Sequence, residues 1–107
     1  MKINITARHF KAKGSLQNYV KAKLEELGKY NENILFADVV FSFEKPPADT
    51  KHCEILIKLK NKKITANEPG IDFEKAVDKA VEKIDTQLYK YKDKIKTHKH
   101  ENSKQSF

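Results

Sequence analysis

Apolar and polar residues alternate from Lys2 to Arg8, with Ile3, Ile5 and Ala7 set against Asn4 and Thr6. A period of two is the mark of a strand with one buried face. The period then lengthens. Leu16, Val20, Leu24 and Leu27 recur at helical spacing after Ser15, whose hydroxyl can cap free N–H groups, and this predicts a helix ending near Gly28. Alternation returns from Leu35 to Glu44, with Leu35, Ala37, Val39, Phe41 and Phe43 assigned to the inward face. Pro46-Pro47 stops that strand, because proline offers no ladder donor. Cys53, Ile55, Ile57 and Leu59 form the inward set of a third strand, and His52, Glu54, Leu56, Lys58 and Lys60 face the other way. Asn61-Lys62 suits a hairpin into a short strand from Lys63 to Asn67, with Ile64 and Ala66 inward, before Pro69-Gly70 punctuates the chain. Asp72 then caps a second helix whose apolar stripe is Phe73, Val77, Ala80, Ile84, Leu88, Tyr91 and Ile95.

The predicted order is β-α-β-β-β-α. A crossover helix makes the first two strands parallel, and short links make the second, third and fourth an antiparallel meander. The expected fold is a single α+β domain, residues 1–96, with a four-stranded mixed sheet and both helices on one face. The remaining stretch, residues 97–107, reads THKHENSKQSF, without periodicity, and is expected to be a disordered polar and basic tail.

Composition narrows the class. With 107 residues, 38% hydrophobic and 35% charged, the chain suits one small globular domain. A net charge of +7 favours nucleic acid, an anionic membrane or an acidic protein as partner. The single cysteine, Cys53, excludes an intramolecular disulfide and a thiolate metal cluster built from this chain. No apolar run resembles a secretory signal or a membrane span, so the expected location is cytoplasmic, with no membrane partner.

Charge placement sharpens the choice. On a wheel of about 100° per residue, Glu74, Asp78, Glu82 and Asp85 fall on one flank of the second helix, and Lys75, Lys79, Lys83, Lys90 and Lys94 fall on the other. Like charges four residues apart cost a few tenths of a kcal/mol each, roughly, so segregation calls for compensation. Pairing around the helix and the helix dipole account for part of it. A polyanion accounts for the stacked row. Tyr89 lies on the outer face, where it can pack on sugar or base. Arg8, Lys21 and Lys23 add positive charge from the first half, and Lys21 or Lys23 is expected to join the second helix in one broad surface.

Catalytic material is sparse. His52 and Cys53 are adjacent in a strand and so face opposite ways, which prevents a nucleophile-base pair, and Cys53 reads as a small core residue. His98 and His100 supply two ligands without a third. Neither a Gly-rich phosphate loop nor paired carboxylates is present. The expectation is a protein that is not an enzyme, with no cofactor, no metal and no small-molecule substrate.

The stretch GIDFEKAVDKAVEKIDTQLYKYKDKIK, together with INITARH and YVKAKLEEL, resembles the ribosome hibernation-promoting factor family, also called the sigma-54 modulation or ribosome-associated inhibitor family. Lys83, Gln87, Leu88, Lys90 and Lys92 occupy places of its helical signature, and the resemblance extends over residues 1–96. Thr86 stands where the family often has arginine, and Phe73-Glu74 where it often has Met-Tyr. The resemblance implies binding to the small ribosomal subunit and its ribosomal RNA, in the channel used by messenger and transfer RNA, with inhibition of idle ribosomes. Arg8, Lys21, Lys23, Lys79, Lys83, Lys90 and Lys94 are then the candidate RNA contacts. Gln87 is either a further contact or a structural residue beside Leu88. The length fits a short form, expected to be monomeric when free and to promote ribosome pairing. A rival reading is a protein-binding regulatory module, a sigma-factor or polymerase modulator, using Phe36, Val40 and Leu56 on the open sheet face.

Overall fold

The computed structural model describes the backbone of residues 1–99 and the side-chain surroundings of residues 1–92. Its elements are β1 (Lys2–Ala7), α1 (Gly14–Lys29), β2 (Ile34–Phe43), β3 (Lys51–Leu59), β4 (Lys63–Gly70) and α2 (Phe73–Lys99). The strands lie in the order β1-β2-β3-β4. β1 is parallel to β2, and the other two pairings are antiparallel. The α+β fold is therefore the expected one.

Both helices cover one face of the sheet. Cys53, Ile55, Ile57 and Leu59 of β3, with Ile64 and Ala66 of β4, are buried against Ala76, Val77, Ala80, Ile84 and Leu88 of α2. Leu16, Val20, Leu24 and Leu27 bury the inner stripe of α1. Each large aliphatic side chain taken out of water contributes about 1.5–3 kcal/mol, so this layer is the main source of stability. Ala76 and Ala80 are small, and they let α2 settle close to the sheet. Gly70 does the same at the end of β4: a Cβ there would stand 2.6 Å from the Ala76 nitrogen and 2.8 Å from the Asp72 oxygen.

Several boundaries differ from the sequence expectation. Ser15 does not cap α1; Lys13 occupies the N-cap, without a side-chain hydrogen bond, and Gln17 donates to the Ala12 carbonyl at 3.0 Å. Leu35 is not inward. The β2–β3 register shifts between Ile34 and Phe36, so Ile34 is buried and Leu35 is left 54% exposed. Phe43 is not buried either, and its ring meets Phe10 edge-on at 5.7 Å. β4 continues beyond Asn67 to Gly70, because Pro69 sits on an edge strand where a missing N–H costs no ladder bond. Asp72 caps α2 as expected, accepting from the Lys75 N–H at 2.8 Å. α2 runs to Lys99, so Thr97, His98 and Lys99 belong to the helix rather than to a tail. The expectation for residues 100–107 lies outside the described residues.

Candidate nucleic-acid interface

α2 presents two differently charged flanks, and its neighbours fix which way each one looks. The Tyr19 hydroxyl of α1 donates to Asp78 Oδ1 at 2.6 Å, and Lys23 Nζ lies 3.5 Å from the same oxygen. Lys23 also sits 5.4 Å from the centre of the Tyr19 ring. The acidic flank therefore faces α1. The opposite flank overhangs β4, where Gln87 Nε2 donates to the Thr65 carbonyl at 2.8 Å.

On that β4 side Lys75, Lys79, Lys83 and Lys90 are all exposed, and none makes an ion pair with a described residue. Lys94 follows Lys90 by four residues in α2 and so continues the row along the helix; its side chain lies outside the described ones. Thr86 falls within the row, but its hydroxyl donates to the Glu82 carbonyl at 3.0 Å and is used up on its own helix. Tyr89 is 72% exposed on the outer surface, whereas Tyr91 packs against the core.

The other sequence candidates are dispersed. Lys23 is half-buried and engaged with Asp78. Lys21 is exposed, two residues and thus roughly 200° away around α1. Arg8 is exposed just beyond β1, its N–H bonded to the Phe41 carbonyl at 2.9 Å, at the sheet edge opposite β4. The acidic flank lies between α1 and the lysine row, so the broad surface expected to join Lys21 or Lys23 to α2 is interrupted. Sequence reasoning also missed Lys62, whose Nζ stands 5.8 Å over the Tyr91 ring. Only the folded approach of the β3–β4 hairpin to α2 brings these two together, and no local spacing reports it.

Electrostatic surroundings match these placements. The hydrogen bond to Asp78, then burial, then the charges of Asp78, Glu74 and Asp72, push the Tyr19 phenol up to about 12. Burial first, and the Glu54 charge second, push the Cys53 thiol up to about 12. His52 points away from Cys53 and shares a 2.6 Å contact with Glu44. Among the described residues no group of three metal-ligating side chains converges, and no helix is long and apolar enough to cross a membrane.

Fold and surface thus define a small α+β domain that offers one helical row of lysines past the edge of its sheet. The chain belongs to the family described as sigma 54 modulation protein / S30EA ribosomal protein, whose family model matches residues 3–96. It is 32% identical over 98 residues to a ribosome hibernation promoting factor of Escherichia coli strain K12, a match that covers 92% of this chain and all of the relative. A ribosome hibernation promoting factor of Pseudomonas putida is 28% identical over 94 residues, covering 88% of this chain and 89% of the relative. Among solved structures, a ribosomal subunit interface protein from Coxiella burnetii superposes with a TM-score of 0.79 at 27% identity, covering 86% of this chain and 98% of that one. The N-terminal domain of Thermus thermophilus Protein Y gives 0.74 at 27% identity, covering 85% of this chain and 99% of that one.

Proposed function

We propose that this protein silences idle ribosomes by docking on ribosomal RNA of the small subunit, in the channel that messenger and transfer RNA otherwise occupy. The observation that carries the reading is the exposed row Lys75, Lys79, Lys83 and Lys90, without an acidic partner among the described residues. Folded RNA offers phosphates and shape more than readable base edges, and a rigid row of ammonium groups suits that target. Lys94 extends the row, and Arg8 and Lys21 contact separate RNA segments. Lys23 contributes by orienting Tyr19 and Asp78 as well as by its charge. Gln87 acts chiefly as a tether to β4, which holds the row in place. The names of the relatives above support ribosome hibernation as the activity.

In this reading the protein acts in the cytoplasm as a monomer and promotes ribosome pairing. Sucrose-gradient profiles with and without the protein test the pairing step. Co-sedimentation with purified small subunits over a salt series tests the docking. A log-log slope that steepens with the number of phosphate contacts is expected, and a flat response contradicts an RNA-phosphate interface. The regulatory-module reading has less behind it, because Phe36, Val40 and Leu56 are each only half-exposed and Asp38 lies among them, accepting from Asn4 at 2.9 Å.

A further inference from the structure

One row of the open sheet face runs straight across all four strands. Lys2 of β1 pairs with Phe36 of β2, Phe36 pairs with Lys58 of β3, and Lys58 pairs with Lys63 of β4. Their neighbours Ile3, Ala37, Ile57 and Ile64 point into the core, so these four point away from both helices. Three lysines and an aromatic ring therefore stand side by side at strand spacing, roughly 4.8 Å apart.

This arrangement is costly for folding alone. Lys58 and Lys63 are directly opposite one another in an antiparallel pair, where like charges destabilise. None of the three lysines makes an ion pair with a described residue. The acidic residue in the next row, Asp38, is occupied by Asn4 at 2.9 Å. Phe36 is half-buried between the lysines, leaving part of its ring open.

We infer that the row Lys2, Phe36, Lys58 and Lys63 is a second nucleic-acid site, which takes a single-stranded RNA segment across the sheet. The lysines hold consecutive phosphates, and the open part of the Phe36 ring packs against a base or ribose. Charge complementarity selects the occupant: an acidic peptide would satisfy the ammonium groups but would meet the aromatic ring only where an apolar side chain happened to fall, whereas every nucleotide carries both a phosphate and a π-face. The sheet separates this row from the lysines of α2, so the protein can hold two RNA segments at once. The inference does not depend on the docking role given to α2.

The test uses the full chain and a fluorescently labelled oligouridylate of twelve nucleotides. Amide shifts on titration should be concentrated at Lys2, Phe36, Lys58 and Lys63. The double variant Lys58→Gln, Lys63→Gln should lower the slope of log affinity against log salt by about 1.4, about 0.7 for each phosphate contact on a single strand. Its thermal midpoint should stay the same or rise, because the opposed charges are gone. Solubilising lysines would give no change in slope, and lysines needed to shield Phe36 would give a lower midpoint. Either outcome overturns the inference, as do shifts confined to α2. The parallel variant Lys83→Gln, Lys90→Gln should retain the sheet-face shifts; failure of ribosome docking in that variant concerns α2 alone.

Discussion

Tyr19 donates its hydroxyl to Asp78 at 2.6 Å across the two helices, and that bond joins the exposed acidic flank of α2 to α1. Once the apolar stripe of α2 lies on the sheet and the link from β4 sets its direction, helix geometry decides which charged flank looks toward α1. Here the tyrosine and Lys23 take up the acidic side, and the lysines are left facing outward beside β4. The inter-helix contact therefore steadies an orientation that the buried stripe of α2 already sets.

The bond has a pH signature. Tyr19 must be protonated to donate, and its phenol is raised from 10.0 to about 12 in the folded protein. A raised folded value means a stabilisation fully present below pH 10.0 and lost as pH climbs through about 12. Tyr19→Phe should lower stability by about 1 kcal/mol at neutral pH. The difference in thermal midpoint between the two proteins should shrink over that alkaline window, as tyrosinate absorbance rises in the wild type.

Gly70 is a packing constraint. With the Ala76 nitrogen 2.6 Å and the Asp72 oxygen 2.8 Å from the place a Cβ would take, neither being able to swing aside, Gly70→Ala must push α2 off the end of β4. A loss of about 1–3 kcal/mol in chemical denaturation is expected. No loss would mean that the helix start is loosely held.

Thr86 sits among the lysines with its hydroxyl turned back to Glu82 at 3.0 Å. Thr86→Arg replaces a side chain satisfied by its own helix with a cationic fork. It should tighten binding to the small subunit, with a steeper salt dependence, and raise helix stability by about a few tenths of a kcal/mol. Unchanged binding would place Thr86 outside the interface, and weaker binding would mean that the interface has no room for the larger cation.

Much of this was legible in the residues. The strict alternation of β3 gave its inward set from Cys53 to Leu59 correctly, because a central strand has one register that buries its apolar side. The two charged flanks of α2 were equally plain from helical spacing. Leu35 was misread because a register shift at Ile34 is a feature of the pairing between strands, which alternation along one strand does not record. Lys23 read as an outward contact for a similar reason: its partner Asp78 is 55 positions further along the chain, and only the packing of α1 on α2 brings them within 3.5 Å. The same contact makes Asp78 a poor control position, because its reversal would disturb the helix pair as well as the surface charge.

Charge reversal on the two flanks of α2 tests the central claim most directly, with co-sedimentation on purified small subunits and thermal unfolding measured together. Lys83→Glu with Lys90→Glu should abolish co-sedimentation at moderate salt and leave the thermal midpoint nearly unchanged, since both side chains are exposed and no described residue pairs with them. Glu82→Lys with Asp85→Lys, on the flank facing α1, should leave docking intact or strengthen it. Equal loss of co-sedimentation in both double variants, or full retention in the first, would contradict docking through the lysine row.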